Sequence, residues 1–360
     1  MSGQRTSVGL DVHARSVVAC GLDAQTGQLF ERRLTPAHED ILGWLRGLPA
    51  PLAVVYEAGP TGFGLARALR RAGFSCRVAA PSKLQRPSGD RVKTDVRDAR
   101  HLARLCHLDE ITEVAIPDVE QEAARDLVRA RDDTRRDLMS ARHRISKLLL
   151  RQGIVYSGGK PWTLTHQRWL RTHSFRVRGL QLAYDTALDT MLATVDRRDR
   201  LDEAIAAMAA DSVYTPVVTR LGCLRGVATL TAFGLAVEIG DWHRFTGRSI
   251  GAFLGLVPSE SSTGGHRSQG PITKTGNTHA RRLLIEAAWH HRPPYRPGVE
   301  LRRRWDKASP AARARGQQGT RRLHARWQAF DTRRKQPTVA NTAIARELAG
   351  WCWSLAVLEE

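Results

Sequence analysis

The sequence predicts an α/β region at the N-terminus followed by a mainly α-helical remainder, and three observations lead to this prediction. Short β-branched runs alternate with amphipathic segments over residues 6–80, a pattern typical of a sheet with helices on its faces. Residues 118–152 and 175–209 contain almost no Pro or Gly and carry apolar residues at helical spacing. From there to residue 360, further helical patterns are separated by turns that contain Gly or Pro.

The N-terminal strands are predicted in two groups. The runs TSVGLDV, SVVACGLD and GQLFERRL follow one another closely and indicate three meandering strands. Helical patterns in HEDILGWLRGL and TGFGLARALRRAG then alternate with two more strands, the apolar run PLAVVYEAG and the shorter SCRVAA. A meander that continues into strand–helix alternation predicts a mixed sheet covered by helices.

The long helical stretches predict a coiled-coil arm. Its seam is the set of residues at 3/4 spacing in 118–152, which has two polar interruptions: Ala124, Leu127, Arg131, Thr134, Leu138, Ala141, Ile145 and Leu148. The second helix follows the Gly/Pro segment GIVYSGGKPW. The pair forms either an antiparallel arm that serves dimerisation or an ordinary helical hairpin within one subunit. The expected domains are therefore residues 1–115, 116–209 and 210–360.

The composition favours nucleic acid as a partner. Lys and Arg number 56 against 36 Asp and Glu, so the formal net charge is +20 and the pI is about 10.9. Five scattered cysteines without a C-x-x-C pair argue against a zinc site or a disulfide framework and fit a reducing cytosol. No apolar run reaches the roughly 18 residues of a membrane span, and no signal-peptide core is present. We expect a cytoplasmic, nucleoid-associated protein without a membrane partner.

The C-terminal part contains several patterns suited to nucleic acid. RLGCLRGVATLTAFGLAVEIGDW reads as helix, glycine turn, helix, and the turn amides of such a motif can face a phosphate. The polar segment PSESSTGGHRSQGPITKTGN is predicted to be a loop before the helix THARRLLIEAAWHHR. Residues 301–335 hold twelve Lys or Arg against two Asp, with Trp305, Trp327 and Phe330 interleaved, which suits a nucleic-acid surface. The closing pattern TAIARELAGWCWSLAVL predicts a core helix.

Four carboxylates are candidate metal ligands. Asp11 lies in the first strand pattern and Glu57 ends the buried one, where an acid without a partner is costly. Asp95 and Asp98 share one face of the helical pattern in RVKTDVRDARHLARL. Because sites of α/β sheets lie at strand ends, we expect the four acids to meet around Mg²⁺, which takes oxygen ligands and assists phosphoryl transfer.

The residues around these acids also fit simpler roles. The two helix acids could form exposed ion pairs with nearby arginines, of which the candidates are Arg91, Arg97 and Arg100. His13 and His101 are candidate auxiliary ligands, although each also fits an ordinary surface histidine.

The polar segment offers a nucleophile next to positive charge. Its serines stand beside two glycines that allow backbone to approach a phosphate, and one of them could attack a phosphodiester and hold a DNA end covalently. The alternative is a polar turn that only contacts phosphate. The residues expected to contact nucleic acid are Lys93, Arg267, Lys274, Arg281 and Arg282.

Four motifs in order resemble one known family. GLDVH, VYEAGPTG, KTDVRDA and GLVPSESSTGG…ITKTGNTHARRLL are similar to the DEDD transposases of bacterial insertion sequences, the IS110 group with its IS1111 relatives. The likeness covers nearly the whole chain and includes the tail RLHARWQAF…AIARELAGWCW.

The resemblance implies a RuvC-like N-terminal domain of RNase H-like fold and a C-terminal transposase domain. It places the family's Mg²⁺-binding positions, where Mn²⁺ can substitute, on Asp11, Glu57, Asp95 and Asp98. The recombinase nucleophile falls on Ser262, which opens the Ser-Thr pair before Gly-Gly, with the adjacent Ser261 as the alternative. The implied partners are element-end and target DNA and an element-encoded bridge RNA. Dimers would synapse into tetramers in which domains of different subunits share an active site.

Together these expectations describe a Mg²⁺-dependent transposase that recombines DNA through a phosphoserine link. Two other functions fit the same residues. One is a metal-dependent junction endonuclease in which water attacks the phosphate and the serine only contacts it. The other is a non-catalytic protein that binds DNA or RNA.

Overall fold

The computed structural model describes residues 5–84, 94–263 and 266–359, with the side chains of 266 and 267 excepted. The chain divides into two compact units, Met1–Asp118 and Val119–Glu360. The first unit is a mixed α/β domain, and the second is mostly helical, as predicted. The long helices that the sequence assigns to a separate arm belong to the second unit.

Five described strands form the sheet of the first unit: β1 (Thr6–Val12), β2 (Val17–Asp23), β3 (Leu29–Leu34), β4 (Leu52–Glu57) and β5 (Ser75–Ala79). Their order is β3-β2-β1-β4-β5. The meander β1–β2–β3 is antiparallel, whereas β4 runs parallel to both β1 and β5. This is the predicted mixed sheet. Its central strand is β1, which pairs with β2 of the antiparallel meander on one side and with the parallel strand β4 on the other.

Helices cover both faces of this sheet. α1 (His38–Arg46) and α2 (Gly64–Arg71) pack on the face that carries Val8 and Leu10. α3 (Asp95–His107) packs on the opposite face, where its Ala99 and Ala103 meet β2. Because side chains alternate along a strand, Asp11 projects to the α3 side together with Gly9.

The close approach of α3 to β1 depends on Gly9. A Cβ placed on Gly9 would lie 2.2 Å from the carbonyl oxygen of Ala99 and 2.5 Å from the amide nitrogen of Ala103. Both atoms belong to backbone, which cannot rotate away as a side chain can. Any larger residue at position 9 would therefore push α3 away from the sheet, together with the acids of its first turn.

We expect Gly9→Ala to lower the free energy of unfolding of the first unit by about 3 kcal/mol, because the added methyl overpacks a rigid contact. Urea unfolding followed by hydrogen exchange in β1 and α3 measures this loss. Gly43→Ala is the matched control: Gly43 lies exposed in α1 with no atom within 4 Å of an added Cβ. That variant should gain about 0.5–1 kcal/mol, so equal stabilities of the two variants would contradict the close packing.

Two long helices open the second unit, α4 (Val119–Arg151) and α6 (Arg178–Ala210), close to their predicted limits. Ala124 near the start of α4 shares a core with Ile205 near the end of α6. Ile145 near the end of α4 shares another core with Tyr184 near the start of α6. The two helices therefore pack antiparallel within one chain, and six of the eight predicted seam residues are buried. A short helix that the sequence did not predict, α5 (Leu164–Leu170), lies between them in the chain.

The rest of the second unit contains seven described α-helices. They are α7 (Thr215–Leu221), α8 (Thr229–Ile239), α9 (Ser249–Phe253), α10 (Thr278–Ala288), α11 (Val299–Trp305), α12 (Pro310–Thr332) and α13 (Pro337–Ala356). The second helix of the predicted pair around a glycine turn is confirmed as α8, whereas the helix before the turn, α7, lies mostly ahead of the predicted segment and ends at Leu221. The predicted core helix is confirmed as α13, since its Ile344, Leu348 and Leu355 are fully buried.

The loop prediction for the serine-rich segment is wrong over most of its length. Residues Pro258–Thr263 (β6) and His266–Ile272 (β7) form an antiparallel two-stranded hairpin. Lack of apolar residues suggested a loop, but a hairpin satisfies its backbone hydrogen bonds through the strand ladder and needs no buried side chains to do so. The side chains of β6 are accordingly almost all exposed.

Two of the three aromatic residues expected on a basic surface are in the core instead. Trp327 is fully buried and its Nε1 donates to the Ala288 carbonyl at 3.3 Å. Trp305 is 7% exposed and its Nε1 donates to the Cys223 carbonyl at 3.0 Å. Phe330 is half-buried. The sequence showed aromatic residues among arginines, but it did not show that the aromatic residues occupy the inner face of helices whose outer face is basic.

All five cysteines are buried free thiols. No described helix combines the length and the apolar composition that a membrane span requires.

Candidate active site

Asp11 and Glu57 stand at the carboxyl ends of two neighbouring parallel strands. β1 and β4 pair in register up to Leu10 and Tyr56, so Asp11 and Glu57 come next on each strand. Residues paired in this way point to the same face of a sheet, which here is the face covered by α3. The Asp11 side chain is 19% exposed and Glu57 is exposed, so solvent or a substrate can reach both.

The first turn of α3 adds two more acids. Thr94 caps the helix, its side chain accepting a hydrogen bond from the Arg97 amide at 3.3 Å, and Asp95 and Asp98 both lie in the turn that follows. The positive end of the helix dipole favours negative charge at this position by a few tenths of a kcal/mol, which offsets the repulsion between the two acids. The position of the helix start thus explains how two like charges are tolerated on one face.

The structure brings Asp11, His13 and Asp95 into one close group, in which one ligand atom from each lies within 4.8 Å of the others. His13 Nε2 lies 3.0 Å from Asp11 Oδ2 and 3.8 Å from Asp95 Oδ1. Burial raises the pKa of Asp11, His13 opposes the rise, and the negative charges of Asp95 and Asp98 add to it. Negative charge is therefore concentrated at this end of the sheet.

This donor set fits a divalent cation. Carboxylate oxygens are the ligands that Mg²⁺ prefers, and the imidazole of His13 extends the set to ions that accept nitrogen. A cation here would also relieve the repulsion between Asp11 and Asp95. The sequence indicates His13 as a possible auxiliary ligand, and its position between the two acids supports that role.

The other predicted ligands are less closely grouped. Glu57 and Asp98 lie outside the three-residue group, although Asp98 is near enough for its charge to act on Asp11. His101 also lies outside the group, and its buried Nε2 has no hydrogen-bond partner among the described residues. Arg100, proposed as an ion-pair partner of the helix acids, instead binds Glu31 through both nitrogens of its fork, one contact being 2.8 Å. Arg91 lies outside the described residues.

The hairpin presents Ser261 and Ser262 on opposite faces. Ser262 pairs with residue 267 and Ser261 with Ser268, and consecutive side chains of a strand point to opposite sides. A phosphate bound on one face of the hairpin can therefore reach only one of the two serines. The Ser262 hydroxyl donates a hydrogen bond to Oε1 of Glu260 at 2.9 Å, so a proton acceptor accompanies Ser262 on its face.

The five predicted nucleic-acid contacts have different surroundings. Lys93 and the side chain of Arg267 lie outside the described residues. Lys274 is exposed, at a position with φ of 55°. The buried Arg281 guanidinium donates to the Leu254 and Thr275 carbonyls, which favours a structural role. Arg282 forms ion pairs with acids on two helices, Asp132 at 2.7 Å and Glu286 at 2.8 Å.

Glu238 is a buried acid of the second unit that the sequence patterns did not identify. It lies in α8, its side chain fully buried, and receives two hydrogen bonds of 2.9 Å from Arg129 of α4. Asn277 and His279, which stand at the start of α10, donate to it at 2.6 and 3.0 Å. Glu238 therefore fixes the segment that follows the hairpin to two helices of the core. A single acid within the otherwise apolar helix pattern TLTAFGLAVEI was the feature that could have identified it.

Glu238 makes the second unit sensitive to acid. Burial alone would raise its pKa, but the hydrogen bonds from His279, Arg129 and Asn277 outweigh burial and lower the pKa from 4.5 to about 2. Because the folded-state pKa is the lower one, this stabilisation is complete above about pH 4.5 and is lost as the pH falls toward 2. We expect urea unfolding of Glu238→Gln to depend less on pH in this window than unfolding of the unchanged protein. Parallel pH profiles for the two proteins would contradict the assignment.

Family models match the chain in both units. A model for DEDD transposases of the IS110 type, described as "Transposase", matches residues 8–153. A second model, described as "Transposase IS116/IS110/IS902 family", matches residues 218–298. The first match contains the acidic group around Asp11, and the second contains the serine hairpin and α10.

Individual relatives agree with these matches. The chain is 41% identical over 302 residues to the y4qE protein of Sinorhizobium fredii, covering 84% of this chain and 74% of that protein. It is 30% identical over 341 residues to the transposase for insertion sequence element IS1533 of Leptospira borgpetersenii, covering 92% and 99%. It is 25% identical over 289 residues to the transposase for IS1111A of Coxiella burnetii, covering 78% and 76%. From these matches, the chain belongs to the IS116/IS110/IS902 family of insertion-sequence transposases.

Proposed function

We propose that this family member catalyses site-specific recombination of DNA, with a divalent metal held by the N-terminal acids and Ser262 as the nucleophile. The observation that supports it best is the grouping of Asp11 and Asp95 at the end of β1, with the charge of Asp98 beside them. Burial raises the pKa of Asp11 and the charges of Asp95 and Asp98 add to the rise; such a group of acids is costly unless a cation or a substrate uses it.

The residues that would hold the metal are Asp11, Glu57, Asp95 and Asp98, with His13 as an additional donor. Mg²⁺ is the expected ion, with Mn²⁺ as a substitute. Bound there, the ion would neutralise charge on the scissile phosphate and on the leaving oxygen. The rigid sheet end and the capped helix hold the acids in place before DNA arrives, so little ordering is required on binding.

The chemical step is assigned to the hairpin. Ser262 Oγ bonds to phosphorus while the bond from phosphorus to the 3′-oxygen breaks, which gives a phosphoserine link and a free 3′-hydroxyl. Glu260 accepts the serine proton through the hydrogen bond already present, and the departing 3′-oxygen takes a proton from water. Attack of another 3′-hydroxyl on the phosphoserine then rejoins the DNA without net hydrolysis.

The proposed partners follow from family membership and charge. They are the DNA of the element ends and of the target, and a bridge RNA that pairs with both, all of which carry phosphates for a chain of net charge +20 to bind. We propose that α4 and α6 form the dimerisation arm, with residues 1–115, 116–209 and 210–360 as the functional domains. Dimers would pair into tetramers on the DNA of the bacterial nucleoid, with acids and serine from different subunits at one phosphate.

A denaturing gel tests the proposal. The full-length protein is incubated with Mg²⁺, labelled DNA that contains an element end, and RNA transcribed from the flanking noncoding stretch. A covalent protein–DNA adduct supports serine recombination. Nicked DNA with free ends and no adduct would instead establish a nuclease that uses water, and intact DNA throughout would favour a binding protein.

A further inference from the structure

A cleft lies at the base of the serine hairpin (β6 and β7), between its strands and α13. It has a volume of about 480 Å³, within the range of pockets that hold small ligands. Pro258, Pro271, Ile272 and Val339 provide an apolar wall, and Thr338 and Thr342 add hydroxyl groups. A cleft of this size with one apolar wall suits a planar aromatic group that is linked to a polar or charged group.

Two cations line this cleft, Lys335 and Arg346. Within the described part of the chain, neither forms an ion pair with a carboxylate. Glu347, the acid next in sequence to Arg346, is bound instead by Arg322 and Arg326. The stem of Arg346 packs over Gly251, where an added Cβ would lie 3.1 Å from Arg346 Cγ, so the aliphatic part of this side chain is held in place beside the cleft that Arg346 lines. The cleft therefore retains positive charge that the protein itself does not neutralise.

Another basic cleft of the second unit differs, because its cations are paired with carboxylates. It is lined by arginines of α4 and by the start of α10, but its cations face acids of the same chain. Arg135 and Arg136 bind Asp132, and Arg129 binds Glu238. Charge neutralised in this way attracts a phosphate weakly, because binding the phosphate would require breaking existing ion pairs. The cleft at Lys335 is thus the better anion site of the two.

The position of the cleft relative to Ser262 suggests what it binds. Pro258 lies in the cleft wall and Ser262 is four residues further along β6, which is at most roughly 13 Å at about 3.3 Å per residue because the strand is irregular between Pro258 and Glu260. Stacked nucleotides rise about 3.4 Å each along one strand. A DNA strand attacked by Ser262 would therefore place a nucleotide about four positions away, or fewer if the strand is stretched, at the cleft.

We propose that this cleft binds one nucleotide of the DNA strand that Ser262 attacks, with Lys335 and Arg346 on the phosphate and the base against the apolar wall. The proposal rests on the proposed function, because it takes Ser262 as the point of attack. The cleft would fix which phosphate of the strand reaches the serine. Sequence-tolerant contacts of this kind, a base on an apolar surface and a phosphate between cations, are typical of single-strand binding.

Binding of a fluorescein-labelled oligo(dT) of about 20 nucleotides to the full-length protein tests the cleft. We expect the double variant Lys335→Gln, Arg346→Gln to bind about tenfold more weakly. The slope of log affinity against log salt should fall by about 0.7, since one neutralised phosphate is lost. Val339→Glu, a change at an exposed wall residue, should weaken binding without the risk of unfolding carried by Arg346. Crosslinks from iodouracil-substituted oligo(dT) should map to residues 335–346 or to β7.

Matched controls make the outcome decisive. Lys160→Gln, Arg168→Gln removes two exposed cations elsewhere, and Val299→Glu adds the same acid at another exposed valine. Three results would each overturn the proposal. The control variants would lose as much affinity for oligo(dT) as the cleft variants, the cleft variants would bind oligo(dT) as tightly as the unchanged protein, or the cleft variants would lose affinity only for the RNA strand oligo(U). Ser262→Ala should keep cleft binding. If the cleft variants bind oligo(dT) more weakly but no protein forms an adduct, the proposed recombinase function fails while DNA binding by the cleft is still supported. If the cleft variants form the adduct normally, only the proposed role of the cleft is refuted.

Discussion

Replacing Ser262 with alanine is expected to abolish the covalent protein–DNA adduct, because alanine offers no oxygen to bond to phosphorus. The loss should be complete, since Ser261 points to the opposite face of the hairpin and cannot take over without turning the strand. Ser262 is exposed on an exposed strand, so the substitution should leave the stability of the second unit unchanged. Single-turnover reactions with element-end DNA, resolved on a denaturing gel, give the amount of adduct.

Two companion variants sharpen this result. Ser261→Ala is the matched control and should form the adduct at the normal rate. Glu260→Gln removes the proton acceptor of Ser262 and should slow adduct formation by about 10²-fold, the lower end of what general base catalysis contributes. An adduct that persists in Ser262→Ala and disappears in Ser261→Ala would transfer the nucleophile to the other face. DNA cleavage that is unaffected by either change would favour attack by water.

The features predicted correctly are those that local sequence determines. The strands of the first unit and the helices α4 and α6 follow from residue spacing along a few turns or a few strand positions. The positions of Asp11 and Glu57 at strand ends follow equally from where the apolar runs stop. Since parallel neighbours align their ends, two such acids at the ends of apolar runs already indicate that they share one edge of the sheet.

The features missed depend on contacts between distant positions. Glu238 binds Arg129, 109 residues before it, and His279, 41 residues after it. These three residues are too far apart in sequence for any local pattern to connect them. The sequence shows only that Glu238 is a single acid in an apolar helix pattern. The inward orientation of Trp327 was hidden for a similar reason, since arginines surround it in sequence and core helices surround it in space.

His13 lies in the turn between β1 and β2, and its side chain contacts the acidic group although it is exposed. Its side chain is 52% exposed, as the ordinary surface interpretation predicts, yet it bridges toward Asp11 and Asp95. The antiparallel pairing of β1 with β2 begins at Val12 and Val17, so the intervening turn is tight and holds the imidazole over the strand end. The residue type is visible in the sequence, whereas the strand register determines the direction of the side chain.

Asp11→Asn is expected to reduce strand cleavage by about 10²–10⁴-fold without lowering the stability of the first unit. The amide keeps the shape of the side chain but removes the negative charge that a divalent cation requires, an effect equivalent to several kcal/mol at the transition state. Stability should stay constant or rise, because burial and the charges of Asp95 and Asp98 already disfavour the ionised form of Asp11 in the folded protein. Cleavage rates and thermal midpoints of the same preparation measure the two effects separately.

The thermal shift caused by Mg²⁺ distinguishes loss of the metal site from loss of any other function of Asp11. A ligand that binds only the folded state raises its stability in proportion to the logarithm of ligand concentration over Kd. The unchanged protein should therefore gain stability with Mg²⁺, and Asp11→Asn should gain little. Glu57→Gln should behave like Asp11→Asn if the fourth acid joins the site, whereas its matched control, Glu39→Gln at an exposed position of α1, should respond normally. If Asp11→Asn kept both the Mg²⁺ response and cleavage, the group of acids at the end of β1 and the start of α3 would not hold the metal, and the metal would have to bind elsewhere.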